Sequence, residues 1–284
     1  MRPGEAMHES PAAGEAHSFL PEREFVLACQ LINEYAGIKL GPHKRYMVHN
    51  RLTRRLRARG MDSFSDYMAL VQNDVAGERE AFVNALTTNL TAFFREPHHF
   101  ELLAARARQH RAAERRPMRV WCSACSTGEE AWSIAMTLRE AACPAEIVAS
   151  DIDTEALDKA SAGVYPTERA AALPAERLKA HLLRGVGAND GWVSVRPELR
   201  TSVQFMQLNL QSPQWPAMEP FDVVFCRNVV IYFDREAQKR LLNRFATVLR
   251  PRGLLVVGHA ESFPAGHPAF RACGRTAYDF LPAA

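Results

Sequence analysis

Between Pro21 and Leu86 apolar residues recur at the three-to-four-residue spacing of amphipathic helices: Phe25, Leu27, Leu31 and Ile32, then Met47, Leu52 and Leu56, then Phe64, Tyr67, Met68 and Leu70, then Phe82, Ala85 and Leu86. The pattern predicts four or five short helices. Gly37, Gly41-Pro42, Gly60 and Gly77 separate them as turns, and Asp62 or Ser63 stands where the helix containing Tyr67 needs a cap. With no strand-like run inside it, this section reads as a small all-α N-terminal domain over residues 19–88, behind a leader, 1–18, expected to be disordered.

After Pro117 the period changes. Apolar runs predict strands over 118–123, 145–150, 203–208, 221–226 and 254–258. Between them lie helices over 129–141, 154–162 and about 234–249, the last stopped by Pro251 and Gly253. Alternating strand and helix implies βαβ units, a mostly parallel sheet and an α/β fold. The Gly-rich stretch from Gly185 to Val195 reads as a hairpin inserted into that core. Interior strands of a parallel sheet are buried on both faces, and ligands bind beyond their carboxyl ends. Asn209 and the pair Arg227-Asn228 fall at such ends.

The length of 284 residues and 47% hydrophobic content are enough for a sizeable core. No apolar run approaches the roughly 18 to 20 residues that span a bilayer, and residues 1–17 lack a signal-peptide core, so a cytoplasmic protein without membrane insertion is expected. The six cysteines are scattered; Cys122 and Cys125 have the spacing of a redox or zinc pair, but no second pair completes a metal site, and they read as packing residues. No metal is therefore expected. A net charge of +3 does not by itself argue for nucleic acid. Arg51, Arg54, Arg55 and Arg59 do cluster at helical spacing, either as a solvated face or as a dock for an acidic partner. No heptad seam or tandem repeat argues for assembly, and a monomer is the default.

The strand over 118–123 runs through Ser126-Thr-Gly128 into Glu129-Glu130 and a helix. Pyrophosphate favours close glycine backbone and positive surroundings, so one glycine followed by two glutamates argues against NAD or a nucleoside triphosphate. The pair suits the ammonium of a bound amino acid, or simply complements the helix dipole. Asp151, after the next strand, stands where an acidic side chain accepts ribose hydroxyls, although it could also cap the following helix. A nucleoside carrying an amino acid points to S-adenosylmethionine.

Four blocks then resemble the signatures of the CheR-type chemotaxis receptor glutamate methyltransferases: Asn89-Leu-Thr-Ala-Phe-Phe-Arg-Glu96, Ser126-Thr-Gly-Glu-Glu130, Ala149-Ser-Asp-Ile-Asp153 and Phe225-Cys-Arg-Asn-Val-Val-Ile-Tyr-Phe233. The resemblance implies a Rossmann-like S-adenosylmethionine-dependent methyltransferase domain over 89–284, with a small β-subdomain inserted at about 185–203. It further implies cofactor contacts from Asn89, Thr91, Arg95, Glu129 or Glu130, Asp151, Asn209, Leu210, Arg227 and Asn228. Arg95 and Tyr232 are placed beside the methyl group. The implied reaction forms γ-methyl esters on glutamates of chemoreceptor signalling helices and yields S-adenosylhomocysteine. Arg51, Arg54, Arg55 and Arg59 would face that substrate, and the β-subdomain could take a receptor C-terminal peptide as an added strand. Where relatives often have Pro-Tyr after the paired glutamates, this chain has Ala131-Trp132. Competing readings are a non-catalytic cofactor-binding scaffold and a nucleic-acid methyltransferase. The second expects Asn- or Asp-Pro-Pro-aromatic after the fourth strand, where Arg227-Asn228-Val-Val stands.

Overall fold

The computed structural model describes residues 19–261 and 267–282; the leader expected over 1–18 lies outside the described residues. Four helices open it: α1 (Glu22–Ala36), α2 (Arg45–Arg59), α3 (Phe64–Gln72) and α4 (Glu78–Leu86). Their apolar faces close on one another, with Phe25, Ile32, Leu52, Leu56, Tyr67, Met68 and Phe82 in one buried cluster. Ser63, not Asp62, caps α3, its side chain accepting the Asp66 N–H. Gly37 ends α1 in the left-handed region at φ 71°, and a Cβ there would stand 2.5 Å from Gln211 Cγ, so this helix end meets the second domain closely only because the residue is glycine.

The remaining elements follow as α5 (His98–Ala113), β1 (Met118–Cys122), α6 (Glu129–Glu140), β2 (Ala145–Asp151) and α7 (Thr154–Ala162), then β3 (Val164–Pro166), α8 (Thr167–Ala170), α9 (Ala175–His181), β4 (Leu182–Arg184), β5 (Trp192–Val195) and α10 (Pro197–Arg200). They end with β6 (Val203–Gln207), β7 (Phe221–Cys226), α11 (Arg235–Val248), β8 (Leu249–Val257), β9 (Phe270–Gly274) and β10 (Ala277–Phe280). The large sheet runs β6-β2-β1-β7-β8-β10-β9. Its first five strands pair in parallel, and β10 and β9 add antiparallel. Alternate residues feed two cores: Val120, Cys122, Val223 and Phe225 pack with α5 and α6, whereas Trp121, Val224, Leu255 and Val257 pack with Leu241, Leu242 and Phe245 of α11. That two-sided burial is why these strands read as unbroken apolar runs. β1 lies between β2 and β7, so the strand order reverses there and opens a crevice at the strand ends.

Two expectations need correcting. Pro251 and Gly253 do not stop α11. The helix ends when Leu249 turns extended at φ −89°, ψ 140°, and Pro251 to Gly253 lie inside β8, where the register against β7 shifts between Phe221 and Val223. The hairpin over 185–195 is the β4–β5 part of a three-stranded antiparallel sheet ordered β3-β5-β4. Its third strand, β3, lies well before 185, and residues 197–200 form α10 and not strand. Three residues of β3 carry too little alternation to announce a strand.

Among the described residues no helix is long and apolar enough to cross a membrane. All six cysteines are free, and burial pushes the thiols of Cys122, Cys125 and Cys226 well above the ordinary range, as packing residues require.

Candidate active site

The crevice is a cleft at the ends of β1, β2, β6 and β7. Ala36 and Ile38 from the helical domain, the 87–91 segment and Arg95 close its remaining side. The 87–91 segment and each of the strand ends carry a residue singled out in the sequence, whereas Ala36 and Ile38 were not. Asn89, Thr91, Arg95, Glu130, Asp151, Asn209, Leu210, Arg227, Asn228 and Tyr232 all line it. Glu129 does not.

The turn between β1 and α6 explains that division. Ser126 and Gly128 take positive φ, 50° and 96°, and a Cβ on Gly128 would fall 2.7 Å from the Ala160 Cβ. Glycine therefore lets α6 start against α7. The first helical turn then sends its two glutamates apart. Glu129, fully buried, accepts from Thr127 Oγ1 at 2.6 Å and pairs with Arg169 at 3.1 Å. Glu130 turns to the cleft and meets Arg227 and the Cys122 thiol. One step further, Trp132 donates its ring N–H to the Ala160 carbonyl at 3.1 Å, so the Ala-Trp departure is absorbed by a buried hydrogen bond.

Asp151 ends β2 with each carboxylate oxygen accepting one backbone N–H: Ser126 at 2.7 Å and Asp153 at 3.0 Å. Burial pushes its carboxyl above the ordinary range even though both N–H groups pull it down. Lone pairs remain on both oxygens for further donors. Asn89 is more committed: its amide donates to Asp153 at 2.6 Å and its oxygen accepts from Ser126 Oγ at 3.0 Å, tying the linker to the β1 and β2 loops.

Arg227 is almost wholly buried, with both terminal nitrogens engaged and Nε left without a partner. It pairs with Glu130 and, at 3.2 Å, with Glu96, and donates to the Arg95 carbonyl at 2.6 Å. Its side chain thus fixes the linker to the β7 end and has little left for a ligand. Asn228 sits at φ 59°, held by its N–H donating to Glu261 at 2.8 Å. Glu261 also accepts from the N–H groups of Val230 and Gly258, at 2.7 and 2.6 Å, and so builds the loop that carries Tyr232. Burial nevertheless leaves its carboxyl above the ordinary range. Glu96, Arg169 and Glu261 were not singled out in the sequence; their partners Arg227, Glu129 and Asn228 lie 131, 40 and 33 positions away.

Arg95 reaches the cleft with one guanidinium nitrogen donating to the Leu90 carbonyl at 2.9 Å. The basic helix divides differently from expectation. Leu52 and Leu56 are buried as read, but Arg51 donates to the Ala85 and Thr87 carbonyls, and Arg55 and Arg59 both pair with the buried Glu78. Of the four arginines, Arg54 alone is exposed without such an engagement; Arg57, not singled out, is exposed beside it.

The donor set fits a nucleoside carrying an amino acid. Leu208, Leu210, Val229 and Phe233 supply apolar wall, Asp151 offers carboxylate lone pairs, and the one buried cation, Arg227, is already neutralised by carboxylates, so no phosphate cradle exists among the described lining residues.

Comparison with known proteins agrees. Residues 89–278 match the family model described as "CheR methyltransferase, SAM binding domain", and residues 23–87 match "CheR methyltransferase, all-alpha domain". The chain is 48% identical over 264 residues to the chemotaxis protein methyltransferase of Escherichia coli K12, covering 91% of each. It is 47% identical over 264 residues to that of Salmonella typhimurium, covering 91% of this chain and 90% of the relative. To chemotaxis protein methyltransferase 2 of Pseudomonas aeruginosa it is 46% identical over 273 residues, covering 95% and 97%. A family model over each of the two domains and such identities across almost the whole length leave one conclusion: the chain belongs to the CheR methyltransferase family, with S-adenosylmethionine as its cofactor.

Proposed function

We propose that this protein methylates glutamate side chains on the cytoplasmic signalling helices of chemoreceptors, forming γ-methyl esters. The observation that carries the reading is the convergence of Arg95, Tyr232, Asp151 and Glu130 on one cleft in a chain whose relatives are chemotaxis methyltransferases. S-adenosylmethionine would supply an electrophilic sulfonium methyl. Asp151 would accept the ribose hydroxyls, Glu130 would face the amino group, and Asn209 and Leu210 would border the adenine. Asn89, Thr91 and Asn228 would shape the wall, with Arg227 holding it together.

A glutamate with a pKa near 4.3 is already ionised at neutral pH, so the chain need not provide a general base. Its task is alignment. A cation bound tightly to the attacking carboxylate would stabilise the ground state as much as the transition state, which does not speed the chemistry. Arg95, partly occupied by the Leu90 carbonyl, suits orientation better than tight pairing. The Tyr232 hydroxyl can donate to one carboxylate oxygen and aim it without bringing a full cation against it, and alignment is worth several kcal/mol. A scaffold that binds cofactor without turnover would not need either group. The kinetic test separates these readings: Tyr232→Phe and Arg95→Ala should lower kcat by tenfold or more while S-adenosylhomocysteine affinity, measured calorimetrically, stays within a few-fold. Unchanged kcat in both variants overturns the assigned roles.

Docking would fall to the exposed arginines Arg54 and Arg57 of α2, where charge complementarity to an acidic helix raises encounter rates. The small sheet leaves β4 unpaired on one edge and presents Trp192 and Val186 exposed beside it, which suits capture of a receptor peptide as an added strand. We take the working unit to be a cytoplasmic monomer.

A further inference from the structure

Next to Arg227, the turn into α5 brings together Glu96, His98 and His99. Each offers one carboxylate oxygen or ring nitrogen, and the three atoms lie within 4.8 Å of one another. Thr276 Oγ1 lies 2.7 Å from both the Arg275 carbonyl and His99 Nε2. A hydroxyl has one proton, and where that proton goes to the carbonyl the oxygen accepts from Nε2. In the neutral ring Nδ1 is then a bare acceptor. His99 is completely buried, its Nδ1 has no hydrogen-bond partner, and it stands 3.5 Å from Glu96 Oε2. Two lone-pair atoms facing each other repel unless a positive centre lies between them.

The surrounding charge also asks for a cation. Glu96 and Glu130 share the single guanidinium of Arg227, so two buried or half-buried carboxylates meet one positive charge. His98 Nε2 is a second buried nitrogen without a partner. The 3.5 Å gap between His99 Nδ1 and Glu96 Oε2 is also close to the ~3.3 Å that separates two ligands bound ~2.0–2.1 Å from a tetrahedral ion.

We propose that Glu96, His98 and His99 form a binding site for a zinc-class divalent cation, with an open fourth position. Nitrogen and carboxylate ligands of this kind suit borderline ions such as Zn²⁺ and Co²⁺. Thr276 acts one step out, fixing the His99 tautomer as outer partners of metal-bound histidines do. The ion would share Glu96 Oε2 with Arg227 and with the His259 N–H at 3.1 Å, placing it in contact with the groups that anchor Arg95.

The test is a titration of the full-length, chelator-treated protein with Co²⁺, read by visible ligand-field absorption, with Zn²⁺ as competitor. The proposal expects one Co²⁺ per chain, a spectrum of nitrogen and oxygen ligation without a thiolate charge-transfer band, and displacement by Zn²⁺. His98→Ala should weaken binding at least tenfold, and Thr276→Val about 10- to 100-fold, the loss usual for an outer partner. Urea unfolding without metal checks that both variants fold, and if either does not, the other carries the comparison. Three results overturn the site: no saturable binding, which would leave a proton between His99 and Glu96; a thiolate band that disappears in Cys273→Ser; or affinity unmoved in the folded variants.

Discussion

Asn209 donates its side-chain amide to the main-chain carbonyl of Tyr35 at 2.7 Å, joining the loop after β6 to the last turn of α1. The same side chain accepts the Gln211 N–H at 2.8 Å. The residue read as an adenine neighbour is therefore also a clasp between the two domains. Asn209→Ala leaves a carbonyl and an N–H without partners, at about 1–3 kcal/mol each where water cannot replace them. We expect a lower urea midpoint and several-fold weaker S-adenosylhomocysteine binding, both measurable on one preparation. Wild-type affinity with a lowered midpoint would confine Asn209 to the clasp.

Arg227 and its carboxylates predict an asymmetry. Removing one member of a buried pair leaves an uncompensated charge, at about 3–5 kcal/mol, so Arg227→Met should be severely destabilised. Glu130→Gln retains shape and a second carboxylate at Glu96, and should cost less. Chemical denaturation of the two variants checks the order; equal losses would mean that Glu96 does not share the guanidinium.

On α2 the arginines divide into two classes with opposite readouts. Arg54→Glu with Arg57→Glu should raise the apparent KM for receptor and leave S-adenosylhomocysteine affinity and stability near wild type. Arg55→Ala should instead destabilise the helical domain, because it strips a partner from Glu78, a carboxylate 1% exposed. Receptor kinetics unmoved by the double reversal would remove α2 from the docking surface.

Asp222 sets a pH dependence. Burial raises its carboxyl, but the Arg116 pair and the Arg119 N–H outweigh burial and hold it below the ordinary range. A carboxyl depressed in the folded state stabilises above its unfolded pKa of about 3.9, and that contribution disappears as pH falls through the folded value. Wild type should therefore lose stability more steeply than Asp222→Asn below about pH 4. Parallel curves would show the pair to be energetically silent.

How much of this was legible in the sequence follows from the range of the interactions. Period and punctuation are local, and α7 over Thr154–Ala162 and β7 over Phe221–Cys226 occupy the residues their patterns mark. The Arg-rich α5, the largely exposed β9 and the half-buried β10 were not predicted, because polar or short elements carry a weak period and acquire their order from packing on the sheet. The cleft residues were legible because each ends a strand or lies in a signature block. Their division of labour was not. Which glutamate of the pair enters the cleft depends on Arg169 and Arg227, which are 40 and 97 positions from their partners Glu129 and Glu130. Glu261 follows a strand without any local sign that three backbone N–H groups converge on it.

The proposed esterification of chemoreceptor glutamates at this cleft is tested by transfer of labelled methyl from S-adenosylmethionine to purified receptor signalling domains. Mild base then releases the label and mass spectrometry locates it. Label is expected on glutamate side chains, released as methanol by base and absent with Arg95→Ala. Base-stable label, or cofactor binding with no label on any receptor, would contradict it.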